Sequence, residues 1–252
     1  MRLALAVLAT REICAAVHPE DNIHKEGCFM KGKLLVMEGL DGCGKQTQTA
    51  LLKEKLIEKG YNVVTITFPD YDSDASIPVK MYLNGEFGDK ASEVSPYMAS
   101  TFYAVDRIAS YKKHWEQALL DGAVVIADRY TTSNMLHQAT KLDGSEREEY
   151  LDWLTDLEFN RLGLPVPDGV IYLDMPQDVS RKLRSQREEK FEGNDIHEKD
   201  REYLEKCASA ARSLAEKYGW KIVNCVEGES LRTIEDINNE VVKLAEAWLW
   251  EK

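Results

Sequence analysis

From Lys33 onward the chain alternates two kinds of stretch. Short apolar runs, rich in Val and Ile, stand at 34–37, 62–68, 123–127, 169–173 and 221–225. Their length and composition predict buried strands. Between them, helical patterns run over 46–59, 96–120, 145–161, 200–218 and 234–249. Alternation of this kind predicts an α/β chain, with a mostly parallel sheet covered on both faces by helices. Ser95-Pro96 marks one helix start, an N-cap serine followed by proline at the first helical position. No internal repeat, low-complexity tract or Gly/Ser-rich linker breaks the pattern. The stretch 181–195 departs from it, being densely charged, with Gly193 and no clear apolar face. It reads either as a mobile loop or as a solvated helix end.

Length and charge narrow the classes. A chain of 252 residues holds one sizeable domain with a real core. A net charge of −12 argues against nucleic-acid or anionic-membrane partners, which select for basic surfaces. Binding a nucleotide phosphate needs only a few local cations and backbone N–H groups. The five cysteines are odd in number and form no C-x-x-C pair, so a disulfide framework or zinc site is not expected and a reducing, cytoplasmic setting fits. No apolar run is long enough to span a bilayer. Met1-Arg2 and the short run Leu3 to Ala9 faintly resemble a signal peptide, but Arg11 and Glu12 follow closely. We read 1–29 as an extension, disordered or outside the domain, with Met30 as the natural start.

The first chemical signal is Gly39-Leu40-Asp41-Gly42-Cys43-Gly44-Lys45-Gln46-Thr47, placed after the first strand and opening the first helix. This is the phosphate-loop pattern G-x-x-x-x-G-K in the setting it requires. Glycines let the backbone curl so that successive N–H groups face phosphate oxygens. The helix N-terminus adds partial positive charge, and Lys45 reaches the β- and γ-phosphates as a cation. Cys43 reads as a small packed residue, with a redox-sensitive thiol as the sharper alternative. The residue after the lysine is Gln46, where Ser or Thr normally contributes a hydroxyl to Mg²⁺. An amide oxygen of Gln46, or Asp41, or water would have to fill that place.

Further along stand Phe68-Pro69-Asp70-Tyr71, Tyr103 and Arg107, and Asp128-Arg129-Tyr130 followed by Ser133-Asn134. Then come Gly163-Leu164-Pro165-Val166-Pro167-Asp168 and Asp195-Ile196-His197-Glu198. In this order and spacing, the chain from about Met30 to its end resembles the thymidylate kinase family. The resemblance implies a single P-loop kinase domain over 30–252. Its fold would be three-layered, with a five-stranded parallel sheet flanked by helices and a short lid at about 181–198. It implies ATP-dependent phosphorylation of thymidylate, dTMP to dTDP, with Mg²⁺, and a homodimer.

Residue roles follow from the motifs and the resemblance together. Arg129 lies just past the end of a buried strand, where open α/β sheets bind ligands, and a guanidinium there can grip an acceptor phosphate bidentately. Asp128 beside it would sit near metal and phosphates; the plainer alternative is an ion pair at a strand end. Tyr103 and Arg107, four apart, share a helix face. In the family an aromatic ring stacks on the pyrimidine and an arginine donates to its edge; otherwise they are a packed tyrosine and a surface arginine. Phe68, Tyr71, Asn134 and His137 join the acceptor side, although His137 also reads as a plain helix residue. Lid charges Arg184 and Arg187 would stabilise the transferring phosphoryl group, and Asp195 and Glu198 would approach the acceptor. Asp70 stands where the family commonly has an arginine near the acceptor phosphate, so Lys80 or Arg107 would have to supply that charge, or Asp70 would point to solvent. Rival readings are a kinase for another nucleoside or nucleoside monophosphate, and a nucleotide-binding protein that has lost catalysis. A guanine-reading N-K-x-D segment is missing, which removes a GTPase.

Overall fold

The structure, a computed structural model, describes residues 32–185, 201–228 and 230–250. Strand β1 (Lys33–Glu38) leads through the glycine loop into α1 (Lys45–Glu58), and β2 (Val63–Thr67) follows. A cis Phe68-Pro69 bond then takes the chain to α2 (Ile77–Leu83) and α3 (Pro96–Ser110). A π-helical turn (Tyr111–Trp115) joins α3 to α4 (Glu116–Leu120). After β3 (Val124–Asp128) come α5 (Thr131–His137) and α6 (Gly144–Thr155), which runs into a second π-helical turn (Asp156–Arg161). Then follow β4 (Gly169–Asp174), α7 (Gln177–Ser185), α8 (Arg201–Tyr218) and β5 (Lys221–Asn224). A small hairpin, β6 (Val226–Glu227) with β7 (Ser230–Leu231), precedes α9 (Ile234–Trp250).

The five main strands form one sheet in the order β2-β3-β1-β4-β5, every pair parallel. Side chains alternate along β1. Leu34 and Val36 join one apolar layer, with Val125, Val170 and the inner faces of α5, α6 and α8. Leu35 and Met37 join the other, with Ile126, Ile171, Leu52 and Leu56 of α1, and Val241 and Ala245 of α9. This two-sided burial is what near-continuous apolar strands require. The pattern read from the chain holds for β1, β3 and β4. β2 and β5 lie at the sheet edges and are only partly buried, so the expectation that all five strands are buried fails there. The start of the charged stretch is helical, with 181–185 closing α7; the remainder lies outside the described residues.

A third, smaller cluster matters for the site. Val79, Tyr82 and Leu83 of α2 pack on Val94 and on Ala99 of α3. Lys141 fastens this lobe to the body: its Nζ donates to the Tyr82 hydroxyl at 2.9 Å and to the Val94 carbonyl at 3.1 Å. Burial pulls the lysine pKa down to about 8. The N-cap reading at Ser95 is met, since its Oγ accepts from the Met98 amide at 3.1 Å.

Gly169 at the start of β4 admits no side chain. A Cβ there would sit 2.3 Å from Trp248 of α9. Gly169→Ala is expected to destabilise the chain by about 1–3 kcal/mol through overpacking. A lowered urea midpoint at unchanged m-value is the measurement that checks it.

Candidate active site

The parallel sheet sets the site. Met37 and Asp128 are register partners, so the loops after β1 and β3 leave the same sheet edge side by side. A cavity of about 790 Å³ opens there. Ligand sites in open α/β sheets lie at this carboxyl edge.

One wall is the phosphate loop. Gly39 has φ 152°, and a Cβ on it would meet the Cys43 sulfur at 2.6 Å. Gly44 precedes α1 in the left-handed region, at φ 93°. These conformations need glycine. Lys45 is buried, and its Nζ donates to the carbonyls of Gly39 at 2.9 Å and Leu40 at 3.1 Å, with Asp41 Oδ1 3.9 Å away. Asp41, Gly42, Gly44, Lys45 and Gln46 face the cavity. Leu40 and Cys43 turn into the two cores, so Cys43 is the packed small residue of the plain reading, and burial pushes its thiol pKa up. Thr47 is not on the cavity wall.

The adjoining wall is the turn after β3. Arg129 is the one described non-glycine residue with positive φ, at 67°. Such a conformation costs about 1–3 kcal/mol and persists only where surroundings enforce it. Its amide donates to the Met37 carbonyl at 3.1 Å, and its side chain crosses the end of β1. Nη2 donates to Asp41 Oδ1 at 2.5 Å; Nη1 donates to Ser133 Oγ at 3.3 Å and lies 3.5 Å from both Glu38 Oε1 and His137 Nε2. The two principal cations therefore meet at one carboxylate. Burial works against the Asp41 anion, but Arg129, Lys45 and His137 outweigh it and hold the carboxyl well below the usual range. Burial likewise works against the Arg129 cation, and Asp41, Glu38 and Asp128 more than offset it.

Glu38, at the end of β1, was not anticipated as a site residue. It is fully buried and takes bonds from the Gly39 amide (2.9 Å), Thr132 Oγ1 (2.8 Å) and Ser133 Oγ (2.7 Å). A signal existed: a carboxylate closes the apolar run Leu34 to Met37, directly before the glycine loop.

The acceptor side extends along the same cavity. Phe68 and Tyr71 come from the end of β2, Tyr103 and Arg107 from α3, Asn134 and His137 from α5. Arg107 is not a surface arginine: it is 1% exposed and paired with Glu158, which is fully buried. Nothing in the local sequence marks Glu158 as its partner, 51 residues away. Asp70 also lines the cavity and is partly exposed. Its amide donates to Asp106 Oδ2 at 2.9 Å, and its own Oδ1 accepts from the Asp72 amide at 3.3 Å. Lys80 of α2 lines the wall nearby. Arg184 lies at the end of α7, its side chain outside the description. Arg187, Asp195 and Glu198 lie outside the described residues.

A divalent cation would find few protein ligands here. Among the described residues no group of three His, Cys, Asp or Glu side chains is arranged to hold a metal. Asp128 Oδ1 is buried without a hydrogen-bond partner. Burial pushes its carboxyl pKa up, against the pull of Lys45 and Arg129. Mg²⁺ commonly takes one or two carboxylates, with waters and substrate phosphates completing the octahedron. Asp128 and Asp41 fit that sparse donor set.

The depressed Asp41 pKa has a pH consequence. Its ionised form contributes stability that is fully present above the unfolded pKa of about 4 and is lost as pH falls toward the lower folded value. Asp41→Asn is expected to flatten the acid limb of stability against pH below about 4, measured by urea unfolding at a series of pH values.

Comparisons with known proteins point to one family. The family described as Thymidylate kinase matches residues 37–237. The thymidylate kinase of Mycobacterium tuberculosis H37Rv is 33% identical over 191 residues, covering 74% of this chain and 87% of that protein. A probable thymidylate kinase of Thermococcus onnurineus is 34% identical over 215 residues, covering 84% and 96%. The solved thymidylate kinase of Candida albicans superposes with a TM-score of 0.62 at 23% identity, over 86% of this chain and 92% of that one, a likeness of fold.

Proposed function

The chain belongs to the thymidylate kinase family, and from this we propose that it transfers the γ-phosphoryl group of ATP to dTMP, releasing ADP and dTDP. The observation that carries the reading is that Lys45 and Arg129 face one continuous cavity and share Asp41.

The acceptor phosphate is already anionic, so the transfer asks for little covalent chemistry from the protein. Catalysis is then positioning and charge neutralisation. Lys45 exchanges its two loop carbonyls for β- and γ-phosphate oxygens, at the end of α1 where backbone N–H groups also point. Arg129 turns from Asp41 to the acceptor phosphate and brings it into line. The enforced backbone at Arg129 keeps its swing short, because the main chain is tied to Met37 throughout. Tyr103, on α3, offers the aromatic face for the pyrimidine, with Phe68 and Tyr71 closing the other side. Asp128 and Asp41 would hold Mg²⁺, which when bound would supply charge neutralisation for the polyphosphate. Asp70, kept in its turn by Asp106, leaves Lys80 as the cation next to it on the wall.

The wider setting is part of the same proposal. A single kinase domain begins near Met30, with 181–198 as lid and Arg184 or Arg187 acting on the transferring group. Homodimerisation is supported by the apolar outer face of α3, where Met98 is 53% and Val105 46% exposed. A reducing, cytoplasmic location is supported by the burial of the three described cysteines, Cys43, Cys207 and Cys225. No helix among the described residues is long and apolar enough to cross a membrane.

Lys45→Ala and Arg129→Ala are each expected to lower kcat by about 10²-fold or more, with circular dichroism unchanged. A coupled assay of ADP release from ATP, with dTMP, dUMP, CMP and thymidine as acceptors, checks both points. Near-normal turnover in either variant would remove its assigned role, and preference for an acceptor other than dTMP would reassign the substrate.

A further inference from the structure

Glu158 lies in the π-helical turn after α6, which places it inside the body of the protein, away from the cavity wall. π-turns recur where a helix must aim a side chain off its regular face. Glu158 Oε2 accepts from Arg107 Nε at 2.7 Å and from Thr131 Oγ1 at 2.6 Å; Oε1 accepts from Arg107 Nη2 at 2.5 Å. The pair is bidentate, and both partners are almost wholly removed from water. Arg107 Nη2 also donates to Asn134 Oδ1 at 3.2 Å, and Nη1 to the Tyr130 carbonyl at 3.5 Å.

Two unspent donors result. Of the five guanidinium N–H groups, Glu158 takes two, Asn134 one and Tyr130 one, so a single Nη1–H is left on a side chain that faces the cavity. Asn134 spends its oxygen on Arg107. That leaves Nδ2 as the other end of the amide, buried and without a hydrogen-bond partner, on a residue that lines the cavity.

We propose that Glu158 is the positioning residue for base selection: by clamping Arg107 it turns the Arg107 and Asn134 N–H donors toward the cavity, so that the pocket selects a pyrimidine carrying a carbonyl over one carrying an amine. The proposal rests on the dTMP kinase reading above. Without the clamp, Arg107 is free to move and the Asn134 amide can flip, presenting its oxygen to an amino group instead. The effect lives in the acceptor's KM and in the choice of base, since neither Glu158 nor Arg107 takes a phosphate-loop residue as a partner in these bonds.

The test is steady-state kinetics on the full chain with dTMP and dCMP as acceptors, for the wild type, E158Q, E158D, R107Q and the double variant E158Q/R107Q. Thermal melts and thermal-shift binding of dTMP accompany each. E158Q is expected to raise the dTMP KM about tenfold, the worth of a lost charge-assisted bond. The KM for ATP should stay within about twofold, and the dTMP preference over dCMP should narrow. The double variant should be no worse than R107Q, since Glu158 acts through Arg107. E158D keeps the buried charge and shortens its reach, so it should show the same pattern more weakly. An E158Q that melts normally with unchanged dTMP KM and base preference overturns the proposal. So does a proportional fall in kcat with both KM values unmoved, which is simple loss of folded enzyme. If E158Q does not fold, E158D decides, and an unchanged dTMP KM there overturns it. An active wild type with unmoved variants refutes the positioning role alone; a wild type that neither binds nor phosphorylates dTMP refutes the function as well.

Discussion

Glu38 is a buried carboxylate at the hinge of the site, and the phosphate-handling parts are tied together through it. A charge removed from water is tolerated only when it is fully hydrogen-bonded or paired. Here the partners come from two loops far apart in sequence: the Gly39 amide on one side, and Thr132, Ser133 and Arg129 on the other. The start of the glycine loop and the turn after β3 therefore cannot separate without stranding an anion in the core. The parallel register of β1 with β3 puts the two loops next to each other. The buried carboxylate then holds them in one orientation.

Arg129 makes sense within that constraint. A non-glycine residue at φ 67° is strained, and the strain is held by its own main-chain bond to Met37 and by the carboxylates its side chain meets. With Lys45 and Asp41 it forms a compact set of alternating charge, in which the two cations hold the shared carboxyl ionised. Such a set suits the proposed transfer: in that reaction anionic substrate oxygens would replace the carboxylate and the loop carbonyls as partners of cations that are already in place, which lowers the reorganisation needed at the moment of transfer.

The acceptor half is built differently. It is a lobe of α2 and α3 with a small core of its own, fastened to the body at Lys141 and at the Arg107–Glu158 pair. The donor half owes its shape to glycine backbone and a strand edge. The acceptor half owes its shape to side chains bonded across helices. Change of substrate preference is therefore more accessible at the acceptor end, where one side chain can re-aim several others.

Periodicity and local chemistry carried much of this protein's character. The strand–helix alternation announced a doubly covered parallel sheet, because strands buried on both faces must be apolar throughout. The glycine spacing and Lys45 announced a phosphate loop, because that backbone path is closed to other residues. Arg129 could be placed at the sheet's carboxyl edge from its position after an apolar run. Edge strands escaped the same logic, since hydrophobicity along β2 and β5 does not say which strands lie outermost. Partnership across the fold escaped it too. Arg107 reads as a surface arginine until Glu158 is brought beneath it, and Glu38 reads as the last residue of a strand until α5 folds over it. Those pairings join residues 51 and 94 positions apart. Only the packing of helices on the sheet brings them within bonding distance, and local pattern holds no record of which buried charge meets which.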